Sequence, residues 1–297
     1  MLGTSLVNLT LADVKPLGFS SVNQLTGNFN GFGHTLTLSP LSTISISSPL
    51  SIASLKDINL VLTSASDINI DAPVISGAGL LTFTAADNIN LNASVTDLGD
   101  NTGSFAFVAG NNISVGQSVG VSAANIFIDG PVSWSANTLT LDAASNIYVN
   151  AVMTASGTAS FVANYGSRTN VDGSSNELYM EFGTTDGVGN GTFVGKLDFS
   201  GSRTLTLNNH VYTPITSWDQ LTAISGVAGY YALASDLTAP STALSGAPIA
   251  ELGQTQRIRF HTVVTPATLD GLGHTISNLT INDVSGAGND ALIKTVE

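Results

Sequence analysis

The sequence predicts an all-β chain wound as a parallel β-helix, a solenoid of stacked coils. Three observations carry this expectation. A short phrase recurs from residue 57 onward: Asp or Asn, then Ile, any residue, and an apolar residue. Each copy alternates apolar and polar side chains, which is the period of a strand rather than of a helix. Ala-Ala, Gly, Asn and Asp separate the copies, and these are residues that turn a chain.

Residues 1–43 contain FNGFGHTLTLSP at 29–40, a Gly-x-Gly-His-Thr corner followed by Leu36 and Leu38 in alternation. LDGLGHTISNLT at 269–280 repeats the phrase, with Gly271 lying 240 positions after Gly31. In the second copy Ile276, Leu279 and Ile281 supply the apolar positions. Both read as a turn feeding a strand. Residues 1–43 are therefore expected to be the tail of a preceding repeat. Residues 211–297 are expected to hold a second copy that continues the solenoid.

Residues 44–162 hold the regular coils. The phrase appears as DINLVL at 57–62, DINIDAPV at 67–74 and DNINLNASV at 87–95, then as NNISVGQSV at 111–119, NIFIDGPV at 125–132 and NIYVNAV at 146–152. Spacings of 21 to 24 residues recur, the length of one coil with two or three short strands. One coil cannot bury its own apolar stripe, but coils stacked at the ~4.8 Å strand spacing can. Ile58, Ile68, Ile89, Ile113, Ile126 and Ile147 are expected to line up inside, each contributing roughly 1.5–3 kcal/mol. Asn88, Asn112, Asn125 and Asn146 are expected at one corner, where Asn accepts left-handed backbone and its amide can ladder between coils.

Residues 163–210 change texture. NYGSRTNVDGSSNE and GTTDGVGNG are rich in turns, while LYMEF at 178–182, TFVGKLDFS at 192–200 and RTLTLNNHVYT at 203–213 read as strands. This is an elaborated strand and turn region. The one helix signal is Ser217-Trp218-Asp219-Gln220, a capping box with Leu221 and Ile224 at helical spacing and Gly226 as the stop. It predicts a short helix near 218–225. Over the whole length, about a dozen coils and roughly 60 Å of stack are expected.

Composition narrows the function. Only 10% of residues are charged, against roughly 25% in an ordinary domain, so the surface must be built from Thr, Ser and Asn. Net charge is −13, and residues 57–167 contain eight Asp and no Lys or Arg. Nucleic acids and anionic membranes need clustered cations, so both are excluded as partners of this stretch. There is no Cys, hence no disulfide and no thiolate metal site. No basic and apolar leader opens the chain, and no apolar run approaches the ~20 residues of a membrane span. A start in mid-pattern suggests that a targeting segment has been removed.

Chemistry-bearing motifs are few. GQSVG at 116–120 places Ser118 in a Gly-x-Ser-x-Gly phrase, but a nucleophile elbow needs a helix to follow, and strand and turn surround it. The four His are 34, 210, 261 and 274, with no pair at metal-ligand spacing. His34 and His274 occupy the same place in two copies of one motif, which points to packing at a tight corner. Asp-x-Asp, a mark of calcium loops, does not occur. Arg168 and Lys196 leave room for a glycan-binding or glycan-cleaving site around 163–260. No catalytic, cofactor-binding or metal residue is assigned, and the chain is expected not to be an enzyme.

The C-terminal third, with Tyr231, Leu233, Ala234 and Asp236 followed by Asp270, Gly271, Gly273, His274, Thr275, Ile276, Asn278 and Leu279, resembles the repeat of filamentous-haemagglutinin-type exoproteins of Gram-negative bacteria. The central phrases resemble the stacked coils of that family, and Asn30 stands in the first copy where Asp270 stands in the second. The resemblance implies a right-handed parallel β-helix in the passenger of a secreted or surface-held adhesin. It implies export by an outer-membrane partner transporter through a region not present in this chain. The rod is expected to attach to a receptor or glycan on a host or neighbouring cell, and its exposed end coils invite end-to-end or lateral self-association, as in a subunit of a surface filament. The family's secretion domain, and any toxin or anchor, are not in this sequence.

Overall fold

The computed structural model describes residues 6–9, 19–21, 24–25, 29–30, 35–38, 43–47, 49–52, 55–56, 59–76, 79–97, 103–166, 178–180, 194–258, 261–282 and 291–296. Side chains are described from residue 43 onward within these spans, apart from 51–56, 179–180 and 255–264.

The chain is a parallel β-solenoid with three faces. Sheet 1 has eight strands, sheet 2 seven and sheet 3 twelve. A representative coil runs Asn59–Ser64 in sheet 1, Ile68–Ile70 in sheet 2 and Val74–Ser76 in sheet 3. The next runs Leu80–Ala85, Asn88–Leu91 and Val95–Asp97. Among the described residues the seven strands of sheet 2 mark about seven coils, roughly 30 Å of stack at the strand spacing. The sequence led us to expect about a dozen. Longer coils make the difference: Met153 pairs with Leu197, 44 positions on, and Tyr231 with Leu269, 38 positions on.

Strand alternation does the sorting. Burial alternates along almost every strand, as in Asn59–Ser64, where the second, fourth and sixth residues are inside. Isoleucines stack in files, but in two files rather than one. Ile68, Ile89, Ile113 and Val132 are successive register partners in sheet 2. Phe105, Ile126 and Ile147 are successive partners in sheet 1. The phrase Asn-Ile-x-apolar suits either face, because both present the same half-buried pleat. Ile58 lies outside the described residues. Phe83 stacks on Phe107 at 5.5 Å between ring centroids, so aromatic files form by the same register.

The outer surface is held by polar ladders. Asn69 donates to Ser45, Asn90 donates to Asn69 at 2.7 Å, and Ser114 donates to Asn90 at 2.6 Å, a file crossing four coils. Of the four asparagines expected at one corner, Asn88 and Asn112 are partners in sheet 2, while Asn125 and Asn146 belong to the sheet 1 side. They divide between two corners for the reason the isoleucines do.

The parallel run of sheet 3 reverses near the end of the coils. Leu205–Leu207 and His210–Ile215 form an antiparallel hairpin through Asn208 and Asn209, whose φ values are +46° and +63°. Two consecutive left-handed residues make the turn that matches strand twist, and Asn tolerates it. The stretch 203–213, read from sequence as strand-like throughout, is two strands and this turn. His210–Ile215, Gly229–Leu233 and Ala267–Asp270 then run parallel to one another.

The short helix is Trp218–Ala223. Ser217 accepts from the Gln220 N–H, while Gln220 reaches back to the Thr216 N–H at 2.7 Å, one residue earlier than a strict capping box. A second, smaller core of Ile215, Leu221, Ile224, Tyr231, Leu233, Leu237, Ile249 and Leu252 forms around it. Strand Gly229–Leu233 separates the two cores. Its Ala232, with Ala234 just after it, faces the coil core, and Tyr231 and Leu233 face the smaller one.

Candidate functional site

The repeated Gly-x-Gly-His-Thr phrase closes the last coil. Strand Lys196–Phe199 is the edge strand of sheet 2 among the described residues. An open edge would leave its N–H and C=O groups unpaired. Instead Leu197 N–H donates to the Leu272 carbonyl at 3.1 Å, and Phe199 N–H donates to the Ala234 carbonyl at 3.0 Å. His274 Nε2 faces the Leu197 carbonyl at 2.7 Å. Leu272, Ala232 and Ala234 complete the coil core beneath.

The turn that delivers these groups follows from its residues. Asp270 Oδ1 accepts from the Leu272 N–H at 2.9 Å, an Asx-type turn. Leu272 and Gly273 take φ values of +43° and +80°, and the His274 N–H donates to the Gly271 carbonyl. Gly273 is needed for contact as well as for φ. A Cβ there would lie 2.2 Å from the Gly195 carbonyl oxygen and 2.9 Å from Lys196 Cα.

Asp236 is the hub of the clasp. Its Oδ1 faces His274 Nδ1 at 3.2 Å and accepts from the Thr275 N–H at 3.0 Å. Its Oδ2 accepts from Lys196 Nζ at 3.1 Å. Asp198 stands 3.7 Å from the same ammonium. Burial by itself would raise the Asp236 carboxyl, but the Thr275 N–H, the Lys196 ammonium and the His274 ring outweigh it and hold it at about 2. The hydrogen bond to Asp236 raises Lys196, against burial and with help from Asp198. Both ring nitrogens of His274 face oxygen acceptors.

This grouping of acid, imidazole and amine is satisfied by its own members, with Asp236 half exposed at its rim. The His274 side chain is 0% exposed, and the cation at the centre of the carboxylates is Lys196 itself. Among the described residues no group of three or more His, Cys, Asp or Glu is placed to hold a metal ion. The geometry joins three sequence segments mechanically. Sequence reading found His274 and Asp236 as parts of one repeat phrase but did not pair them. It read Lys196 only as a candidate glycan contact.

The other singled-out residues lie apart. Ser118 is exposed, its hydroxyl accepts from the Thr138 N–H at 3.1 Å, and strand Val119–Ala123 follows it rather than a helix. It lines a polar hollow of about 270 Å³ with Ala136, Asn137, Thr138, Thr158, Ser160 and Arg203. His210 stacks on Tyr230 at 4.1 Å, with Tyr212 beside them. His34, Arg168 and the side chain of His261 lie outside the described residues.

Comparison of the chain with protein-family models, with curated proteins and with solved structures finds no match.

Proposed function

We propose that this chain is a structural and adhesive segment of a rod, part of a secreted or surface-held bacterial exoprotein of the filamentous-haemagglutinin type. The observation that supports it is the way the stack ends. Seven coils bury their apolar files on one another, and a second repeat seals the last coil through a clasp of motif residues. Repeats that seal one another in this way can be added in series, and a series of them projects a binding region from a surface. The chain has no catalytic role in this reading. Its partners are a receptor or glycan on a host or neighbouring cell, an outer-membrane transporter acting on a region outside this chain, and other copies by end-to-end or lateral contact.

The test is imaging. Chains carrying one, two and three copies of the repeat, viewed by electron microscopy, are expected to be thin unbranched rods whose length rises with copy number. Compact particles of unchanged length would reject the rod.

A second reading, a glycan-binding or glycan-cleaving module, is favoured by the hydroxyl-lined hollow beside Arg203. A glycan array together with a reducing-sugar assay separates the two forms of it: binding without turnover means adhesion, and turnover means an enzyme.

A further inference from the structure

We infer that the hollow at Ser118, Asn137, Thr158 and Arg203 is a binding site for a carboxylate-bearing sugar, a uronic or sialic acid residue of a glycan. The inference deepens the adhesive reading by naming a ligand class and a place for it.

The hollow lies where the chain passes from sheet 2 to sheet 3, at the corners of four successive coils. Ser118, Thr138, Ser160 and Thr204 follow one another from coil to coil, joined by register and by hydrogen bonds. Asn137 sits at φ +70° and Gly157 at φ +54°, so each of these two corners is made with a left-handed residue. The walls are fixed: Ser160 N–H donates to the Asn137 carbonyl, Ser160 O accepts from the Trp134 ring N–H at 3.1 Å, and Thr158 N–H donates to the Ser135 carbonyl.

What lines the space decides the ligand. Ala136 is the single apolar residue among the seven, so the site does not suit an apolar molecule. The Ser118 hydroxyl already accepts from Thr138, which leaves its proton to donate. The Asn137 amide nitrogen is used on the Gly116 carbonyl at 3.1 Å, leaving the amide oxygen to accept. Thr158 adds an exposed hydroxyl. Donors and acceptors interleaved on a fixed wall match a ring of hydroxyls. The volume is slightly below the range of drug-sized sites, as one small ligand requires.

Arg203 supplies the charge. Among the residues whose side chains are described it is the single arginine, and no carboxylate there forms an ion pair with it. An exposed guanidinium with no ion-pair partner among the described residues is a local positive site, on an otherwise acidic chain, that an anionic group can pair with. Its planar fork matches a carboxylate by two parallel hydrogen bonds.

The experiment is a titration of the purified chain, followed by amide and guanidinium NMR, with glucuronate, N-acetylneuraminate, glucose and acetate in parallel. Saturable shifts at Asn137, Thr158 and Arg203 are expected for at least one acidic sugar and not for glucose. Acetate is expected to bind more weakly than that sugar. Arg203→Ala should weaken it about tenfold or more, and Arg203→Lys should fall between, with unchanged circular dichroism because the side chain is exposed. Thr158→Val should weaken the sugar and leave acetate unaffected. No saturable response, an equal response to glucose, an acetate affinity matching the sugar's, or full binding by Arg203→Ala would each overturn the assignment. None of these outcomes bears on whether repeats form rods, which imaging decides separately.

Discussion

His274 Nε2 lies 2.7 Å from the carbonyl oxygen of Leu197, a residue 77 positions earlier, and the contact is wholly buried. It ties the second repeat to the last coil of the stack. Replacing His274 by Ala removes the side-chain contact to that carbonyl and one of the partners of Asp236, whose Lys196 and Thr275 contacts remain. The expected cost is about 2–3 kcal/mol. Chemical denaturation measures it, and hydrogen exchange should locate it, with Leu197 and Phe199 losing protection before the central coils. Uniform loss along the stack would mean that the clasp is not the seal.

Acid should open the same clasp. The Asp236 carboxyl titrates at about 2 in the folded chain, below its ordinary value of 3.8. The folded state then binds fewer protons across that window, so stability rises with pH there. The contribution is complete above 3.8 and is lost as pH falls through about 2. Asp236→Asn lacks it at every pH. The gap in urea midpoint between the native chain and the variant is expected to be wide near pH 5 and to shrink toward pH 2. A constant gap would show that the carboxylate charge is not what matters. Because Asp236 is half exposed, added salt should narrow the gap as well.

Two glycines separate backbone conformation from crowding. Gly226 at φ +72° has open space where a Cβ would stand, while Gly273 at φ +80° would place it 2.2 Å from the Gly195 carbonyl oxygen. Gly226→Ala is expected to cost about 1 kcal/mol, the left-handed penalty alone. Gly273→Ala is expected to cost about 3 kcal/mol or more, because the contact between repeat and coil must also open. Thermal denaturation of the two variants checks the order, and equal losses would contradict it.

Strand period, the short helix and the stacked coils were legible because each depends on neighbouring residues. Ser217 and Gln220 announce a helix start within four positions, and apolar alternation announces a strand within six. Which face a strand joins was not legible. Ile113 and Ile126 sit in the same phrase, yet the first belongs to sheet 2 and the second to sheet 1, since the phrase encodes a pleat and not a direction in space. The reversal at Asn208-Asn209 did have a local signal, a pair of turn-forming residues between two apolar runs, which the strand reading of 203–213 absorbed. The clasp had only half of one. Asp236 and His274 belong to one repeat phrase, but Lys196 reaches them only after an insertion whose length no local rule fixes.

Adjacent residues on one strand divide the interior files from the surface ladder. Ile89 is fully buried between Ile68 and Ile113. Asn90 points outward, donating to Asn69 and accepting from Ser114. Ile89→Ala removes buried contacts with the coils on both sides and leaves a cavity, for an expected loss of about 2–5 kcal/mol. Asn90→Ala loses two partly exposed hydrogen bonds that water can replace, for about 1 kcal/mol. Coils touch only their neighbours, so the loss in Ile89→Ala should begin locally. Hydrogen exchange is expected to quicken first in Ile68–Ile70, Asn88–Leu91 and Asn112–Val115, the three strands that share the file. If Asn90→Ala costs as much as Ile89→Ala, the amide ladder and not the apolar interior holds the coils together.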